Sequence, residues 1–159
     1  MSTVTIIFVS GHSIIDTVIN TVSHGQYSHV AIKILEGVVE ALGVKDIGDK
    51  YPGVWLHDAE KYDNNPDVKM IDVDLPDIAG AEAEANNLIG TLYGYLDCIN
   101  GGYYDITGKQ LTNDGKITAN CSETVTLILR AGGLAILPEL SADYITPNDL
   151  YRELTGNVG

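Results

Sequence analysis

Two apolar runs on either side of Glu36-Gly37 constrain this chain most. Residues 27–35, Y-S-H-V-A-I-K-I-L, and 38–42, V-V-E-A-L, are rich in β-branched and apolar side chains. A glycine-containing break between two such runs reads as a β-hairpin. Residues 3–9 and 68–73 are further apolar, β-branched runs and read as strands. Ser13 is positioned to cap a helix through about residue 22, where Ile14, Ile15, Val18, Ile19 and Val22 recur at helical spacing. An alanine-rich helix is expected from Asp74 or Asp77 to about Tyr93, with Pro76 in its first turn. A short helix is expected near residues 55–61. Another runs from Cys121 to Arg130 and stops at Gly132-Gly133, and a last one starts near Pro147. Residues 103–117 read as a loop or small hairpin. Strand, helix, hairpin, strand, helix, loop, helix, helix describes an α+β domain with a mostly antiparallel sheet. A chain of 159 residues is one domain by length.

Charge narrows the function classes. With 22 acidic against 9 basic residues, the formal net charge is −13. That excludes the basic footprint of a nucleic-acid binder and disfavours adsorption to anionic surfaces. Nine tyrosines against one Trp and one Phe hint at polar-edged clefts. Cys98 and Cys121 make no disulfide framework. We read no signal peptide in M-S-T-V-T-I-I-F-V-S and no run near the roughly 20 apolar residues of a membrane span. The expectation is a cytoplasmic protein, or one released by another agent.

Few residues offer chemistry. Cys121, in A-N-C-S-E-T-V, begins a helix, where the dipole and the free N–H groups of the first turn favour negative charge. It shares a helix face with Val125, Ile128 and Gly132. A buried structural cysteine is the commoner case, and the polar flanks Asn120 and Ser122 leave the two readings even. His29 stands on a strand face with Tyr27, Ala31, Lys33 and Leu35 and is a candidate base for Cys121. His12, His24 and His57 are weaker candidates, although Asp58 could partner His57. Glu40 interrupts an apolar strand, where a carboxylate needs a partner or water. A two-residue turn at Glu36-Gly37 would set Glu40 opposite Lys33, as an ion pair, and about 13 Å along the strand from His29. Glu123 should point away from the thiol and support the helix start. H-S-I-I-D and H-D have no metal-ligand spacing, so no zinc site is expected. G-D-K-Y-P-G and D-I-T-G-K lack the phosphate-loop pattern, and N-D-G-K lacks the ligands of a calcium loop. No cofactor is expected.

Taken together, Y-S-H-V-A-I-K-I, V-V-E-A-L-G-V and N-C-S-E-T-V-T-L-I-L-R-A-G-G resemble the circularly permuted NlpC-like amidases of the papain-like fold. In that family the histidine strand precedes the cysteine helix. S-I-I-D-T-V-I-N-T-V-S, L-I-G-T-L-Y-G-Y-L-D and I-T-P-N-D-L are similar to further family segments, so the resemblance spans roughly residues 8–154. It implies a single permuted papain-like domain over residues 1–159. It also implies Cys121 as nucleophile, His29 as base, Glu40 as the group orienting His29, and the Cys121 backbone N–H in the oxyanion hole. Tyr27, Tyr95, Asn120 and Ser122 are the expected substrate contacts. N-C also looks like the start of the lecithin:retinol acyltransferase signature, but Ser122, Glu123 and Thr124 depart from it. At the front of the chain, S-G-H-S stands where family members often carry Gly-Asp.

The resemblance implies a cysteine hydrolase cleaving an amide or isopeptide bond, of the peptidoglycan type or a related peptide or lipid amide. A wall hydrolase of this sequence would need delivery by another route, for example with a virus particle or at lysis. A thiol acyltransferase or lipid hydrolase would use the same site and an apolar cleft. A non-catalytic module that keeps the fold would hold Cys121 and His29 too far apart to interact.

Overall fold

The computed structural model describes residues 1–11, 25–94 and 118–156. The expected helix at 13–22, with His12 and His24, lies outside them, as do Tyr95, Cys98 and the loop 103–117. The described elements are strands β1 (Ser2–Ser10), β2 (Tyr27–Ile34), β3 (Gly37–Leu42), β4 (Gly53–His57) and β5 (Val68–Leu75), helix α1 (Ile78–Leu88), and short strands β6 (Leu92–Tyr93) and β7 (Thr118–Ala119). Helix α2 (Cys121–Ala131), a 3-10 turn (Ala142–Tyr144) and helix α3 (Pro147–Thr155) complete them. The sheet order is β5-β1-β2-β3-β4-β6-β7. Neighbours run antiparallel except β6 and β7, which are parallel. The α+β class stands.

Strand alternation gives the sheet two unlike faces. Val4, Ile6, Phe8, Val30, Ile32, Val39, Ala41 and Val54 form the main core with Ala81 and Ala85 of α1, Val125, Ile128 and Leu129 of α2, and Leu150 of α3. The opposite face carries a small apolar cluster of Ile7, Ala31, Val38 and Tyr62. Charged side chains of the same face border that cluster. Among the described residues, no helix is long and apolar enough to cross a membrane.

Several local expectations change. Residues 53–57 are a strand, not the start of a helix. Gly53 to His57 pairs with β3 along its length, Leu42↔Gly53 to Val38↔His57. Pairing with β3 outweighs the helix-like spacing, and Val54 and Trp55 suit a strand. The alanine-rich helix stops at Leu88, because Gly90 takes φ 94°, a left-handed stop that few other residues accept. Asp77 is its N-cap, accepting from the Gly80 N–H at 2.9 Å, so Pro76 precedes the helix. The helices at Cys121 and Pro147 begin where expected.

The central hairpin turns one residue earlier than the glycine suggests. Ile34 pairs with Gly37, and the turn is Leu35-Glu36, with φ of 57° and 59°. Positive φ at both central residues is what a tight type I′ hairpin requires. Gly37 serves another need: a Cβ there would lie 2.6 Å from the His57 carbonyl oxygen and 2.7 Å from Leu56 Cδ1. Glu36 is exposed and has no such constraint. Glu36→Gly should therefore raise stability by about 0.5–1 kcal/mol by relieving left-handed strain, while Gly37→Ala should lower it. Urea denaturation of the two variants checks this, and a destabilised Glu36→Gly would refute the turn assignment.

A second irregularity lies at the head of β2. Val9 pairs with His29 but Ser10 with Tyr27, so Ser28 is the extra residue of a β-bulge. The bulge reverses the alternation. Tyr27, expected beside His29, joins the main core instead, its ring 5.3 Å from Phe8 and 4.7 Å from Tyr151.

Candidate active site

The turn position decides where Glu40 stands. The observed β2–β3 register runs from Ile34↔Gly37 to Ile32↔Val39. Extended by one residue, it sets Glu40 beside Ala31 and diagonal to His29. Diagonal neighbours on one face are about 7 Å apart, within side-chain reach. Moving the turn by one residue thus brings the carboxylate two positions closer than a Glu36-Gly37 turn allows. His29 Nε2 lies 2.6 Å from Glu40 Oε2. The expected ion pair of Glu40 with Lys33 is absent, and Lys33 pairs with Asp63 at 2.6 Å.

Glu40 is fully buried and is the hub of a charged cluster. Its Oε2 also accepts from the Tyr62 hydroxyl at 2.6 Å. Its Oε1 faces His57 Nδ1 at 2.7 Å and accepts from Lys61 Nζ. Two oxygens with two donors each use the carboxylate's whole accepting capacity. The cluster extends outward: His57 Nε2 lies 2.9 Å from Asp49 Oδ1, and Lys61 Nζ 2.8 Å from Asp46 Oδ2. Burial alone would raise the pKa of Glu40. The hydrogen bond and charge of His29 and the hydrogen bonds of Lys61 and Tyr62 outweigh it and hold the carboxyl well below the usual carboxylate range. Tyr62 moves the other way, pushed up by burial and by the charge of Glu40.

His29 links this hub to the cysteine. Its side chain is 17% exposed, its ring is bonded to Glu40, and it stands near enough to Cys121 for the two groups to interact electrostatically. With Nε2 on Glu40, Nδ1 is the nitrogen left for the thiol. Burial would lower the His29 pKa. Interaction with Cys121 and with the Glu40 carboxylate outweighs this and raises it to about 10.

Cys121 is the first residue of α2 and 4% exposed. The first four N–H groups of a helix have no helical acceptor, so its own N–H is one of those open to an oxyanion. The helix start is built from its flanks. Asn120 Oδ1 accepts from the Glu123 N–H at 2.8 Å and from Ser122 Oγ at 3.0 Å, and Glu123 Oε2 accepts from the Asn120 N–H at 3.4 Å. This capping box gives Glu123 the supporting role expected of it. It also occupies Asn120 and Ser122, both buried, with fixing the loop–helix junction. Of the expected substrate contacts, Tyr27 is a core ring, Asn120 and Ser122 are capping groups, and Tyr95 lies outside the described residues.

The sequence left Asp46, Asp49, Lys61 and Tyr62 unmarked and gave His57 the wrong neighbour. Asp58 does not hold His57; it accepts from the Glu60 N–H at 3.0 Å. The one available signal was the buried carboxylate itself, since a charge in an apolar strand demands donors from somewhere. Among the described residues, no group of three or more His, Cys, Asp or Glu is placed to hold a metal ion. Compared with protein-family models and with curated proteins, the sequence matches none.

Proposed function

We propose that the chain is a cysteine hydrolase of amide or isopeptide bonds, with Cys121 as nucleophile, His29 as base and Glu40 as the group that orients His29. The observation that carries this is a fully buried Glu40 carboxylate 2.6 Å from one ring nitrogen of His29, with the same ring interacting electrostatically with a cysteine that opens a helix. That is the nucleophile, base and orienting group of a triad. The strand-then-helix order of His29 and Cys121 supports a permuted papain-like, NlpC-like arrangement, with a peptidoglycan-type peptide or related amide as substrate.

In the reaction, His29 holds the proton given up by the Cys121 thiol, and Sγ attacks the carbonyl carbon. The oxyanion is held at the helix start by N–H donors including that of Cys121, each worth roughly 3–4 kcal/mol in comparable hydrolases. The tetrahedral species collapses with breakage of the C–N bond, and His29 gives its proton to the leaving amine. Water, deprotonated by His29, then hydrolyses the thioester and restores the thiol. Glu40 stays ionised throughout and fixes the ring.

An activated ester tests this without knowledge of the natural substrate. Incubation with p-nitrophenyl acetate should give a burst of nitrophenol and an acetyl group on Cys121 by peptide mass mapping. Cys121→Ala should abolish the burst, and His29→Ala should slow it at least tenfold, in the range of general-base contributions. Acetylation of Cys121 at the same rate in His29→Ala would sink the reading.

A further inference from the structure

The helix α3 reaches the catalytic strand through one side chain. Asn148 is buried, 3% exposed, and its amide makes two bonds to the same backbone residue. Its Oδ1 accepts from the Tyr27 N–H at 3.0 Å, and its Nδ2 donates to the Tyr27 carbonyl at 2.9 Å. A neighbouring strand would satisfy a residue in the same way. Tyr27 lies beyond the end of the β2–β3 ladder, which runs to Ile32↔Val39, so Asn148 supplies a strand's hydrogen bonds where the ladder has ended.

Three features show that this contact is built in. Gly25 leaves room for it, since a Cβ at that position would lie 2.2 Å from both Cγ and Oδ1 of Asn148. Helix α3 is fixed at its start by Pro147 and by a capping box in which the Asp149 N–H donates to Thr146 Oγ1 at 3.2 Å and Asp149 Oδ2 accepts from the Thr146 N–H at 2.9 Å. Tyr151, one turn along α3, packs its ring on that of Tyr27. Backbone and side chain of Tyr27 are thus both gripped by α3.

Tyr27 is two residues from His29, and the bulge at Ser28 lies between them. A bulge adds local freedom and sets the direction of the side chains that follow. His29 is bonded to Glu40 through one ring nitrogen and interacts with Cys121, so its direction depends on the backbone that carries it. We infer that Asn148 is a positioning residue for His29: by clamping the Tyr27 backbone it fixes the bulge and aims the imidazole at the Cys121 thiol. This rests on the triad proposed above.

The test is the pH dependence of Cys121 alkylation by iodoacetamide, followed by mass mapping on folded protein at a temperature where circular dichroism matches wild type. Wild type should show reaction at pH 6 that depends on His29, absent in His29→Ala. Asn148→Ala should reduce that rate roughly 10- to 100-fold, the cost of a displacement of about 1 Å at a reacting pair, and should convert the profile to that of His29→Ala. Gly25→Ala, which presses on the same clamp from the other side, should do likewise. Asn148→Asp, which keeps the acceptor for the Tyr27 N–H, should fall between. If Asn148→Ala and Gly25→Ala melt earlier but keep the wild-type profile, Asn148 is a structural residue only and the inference is overturned. If wild type and His29→Ala share one profile from the outset, the triad itself fails and takes the inference with it.

Discussion

Replacing Glu40 with alanine is expected to cost about 3–5 kcal/mol of folding stability, among the largest effects available to one substitution in this chain. Volume is the smaller part of the cost. Removing the carboxylate takes from His29 and Tyr62 the acceptor they have now, and leaves His57 and Lys61 with Asp49 and Asp46 alone. Hydrogen bonds to a charged group are worth about 1.5–3 kcal/mol each, and an orphaned buried donor costs more than the bond was worth. Glu40→Gln keeps the shape but not the chemistry. Its one carbonyl oxygen serves one pair of donors, while its NH2 group points at the other pair. It should therefore destabilise far more than an exposed Glu→Gln change, by at least about 2 kcal/mol. Guanidinium denaturation of both variants measures this, and a loss below 1 kcal/mol for Glu40→Ala would show that the hub is dispensable to folding.

The second large effect is on the dependence of stability on pH. His29 is raised from 6.5 to about 10 in the folded protein, so folded chains hold a proton that unfolded chains have released. Stability from this group is complete below about pH 6.5 and is lost as pH rises toward 10, at about 1.4 kcal/mol per pH unit. Glu40 acts at the other end. Its folded pKa is depressed below 4.5, so its contribution is present above that value and is lost as pH falls beneath it. The two groups leave a plateau between about pH 4.5 and 6.5. The excess of negative charge adds its own repulsion as pH rises, so the informative quantity is a difference between variants. Between pH 7 and 9, wild type should lose stability more steeply than His29→Gln, by about one proton's worth. In Cys121→Ala the His29 titration, followed by NMR of the ring, should move down, because interaction with Cys121 raises it. Parallel stability profiles for wild type and His29→Gln would contradict the His29–Cys121–Glu40 coupling.

The parts of this arrangement that could be read from sequence are those whose residue types are rare in their setting. A carboxylate in V-V-E-A-L, a histidine at the head of an apolar strand and a cysteine at a helix start each violate a local pattern, and the structure brings the three together. Residues that follow a common pattern carried no such mark. Lys61, Asp46 and Asp49 lie in polar, turn-rich segments where charged residues are ordinary. Tyr62 and His57 gain their meaning only when β4 pairs with β3, and the helix expected at 55–61 concealed that pairing. The hairpin was legible, but its register was not. Register depends on which residues take positive φ, and the chain places Leu35 and Glu36 there while its glycine answers a close approach from β4. Tyr27 changed faces for a similar reason, since period-two reasoning does not see a bulge.

The spans over which these contacts close have a consequence for synthesis. Glu40's four partners lie between 11 and 22 residues from it in the chain. The clamp on Tyr27 closes over 121 residues. A ribosome has therefore delivered His29, Glu40 and Glu40's donors before Cys121 is made, and Asn148, which bonds the Tyr27 backbone, comes after both. The His29 imidazole can meet Glu40 early, while the Cys121 thiol reaches it only after the intervening chain has been made. A fragment stalled short of α3 would hold Glu40, His29 and Cys121 but lack the Asn148 side chain that bonds the Tyr27 backbone.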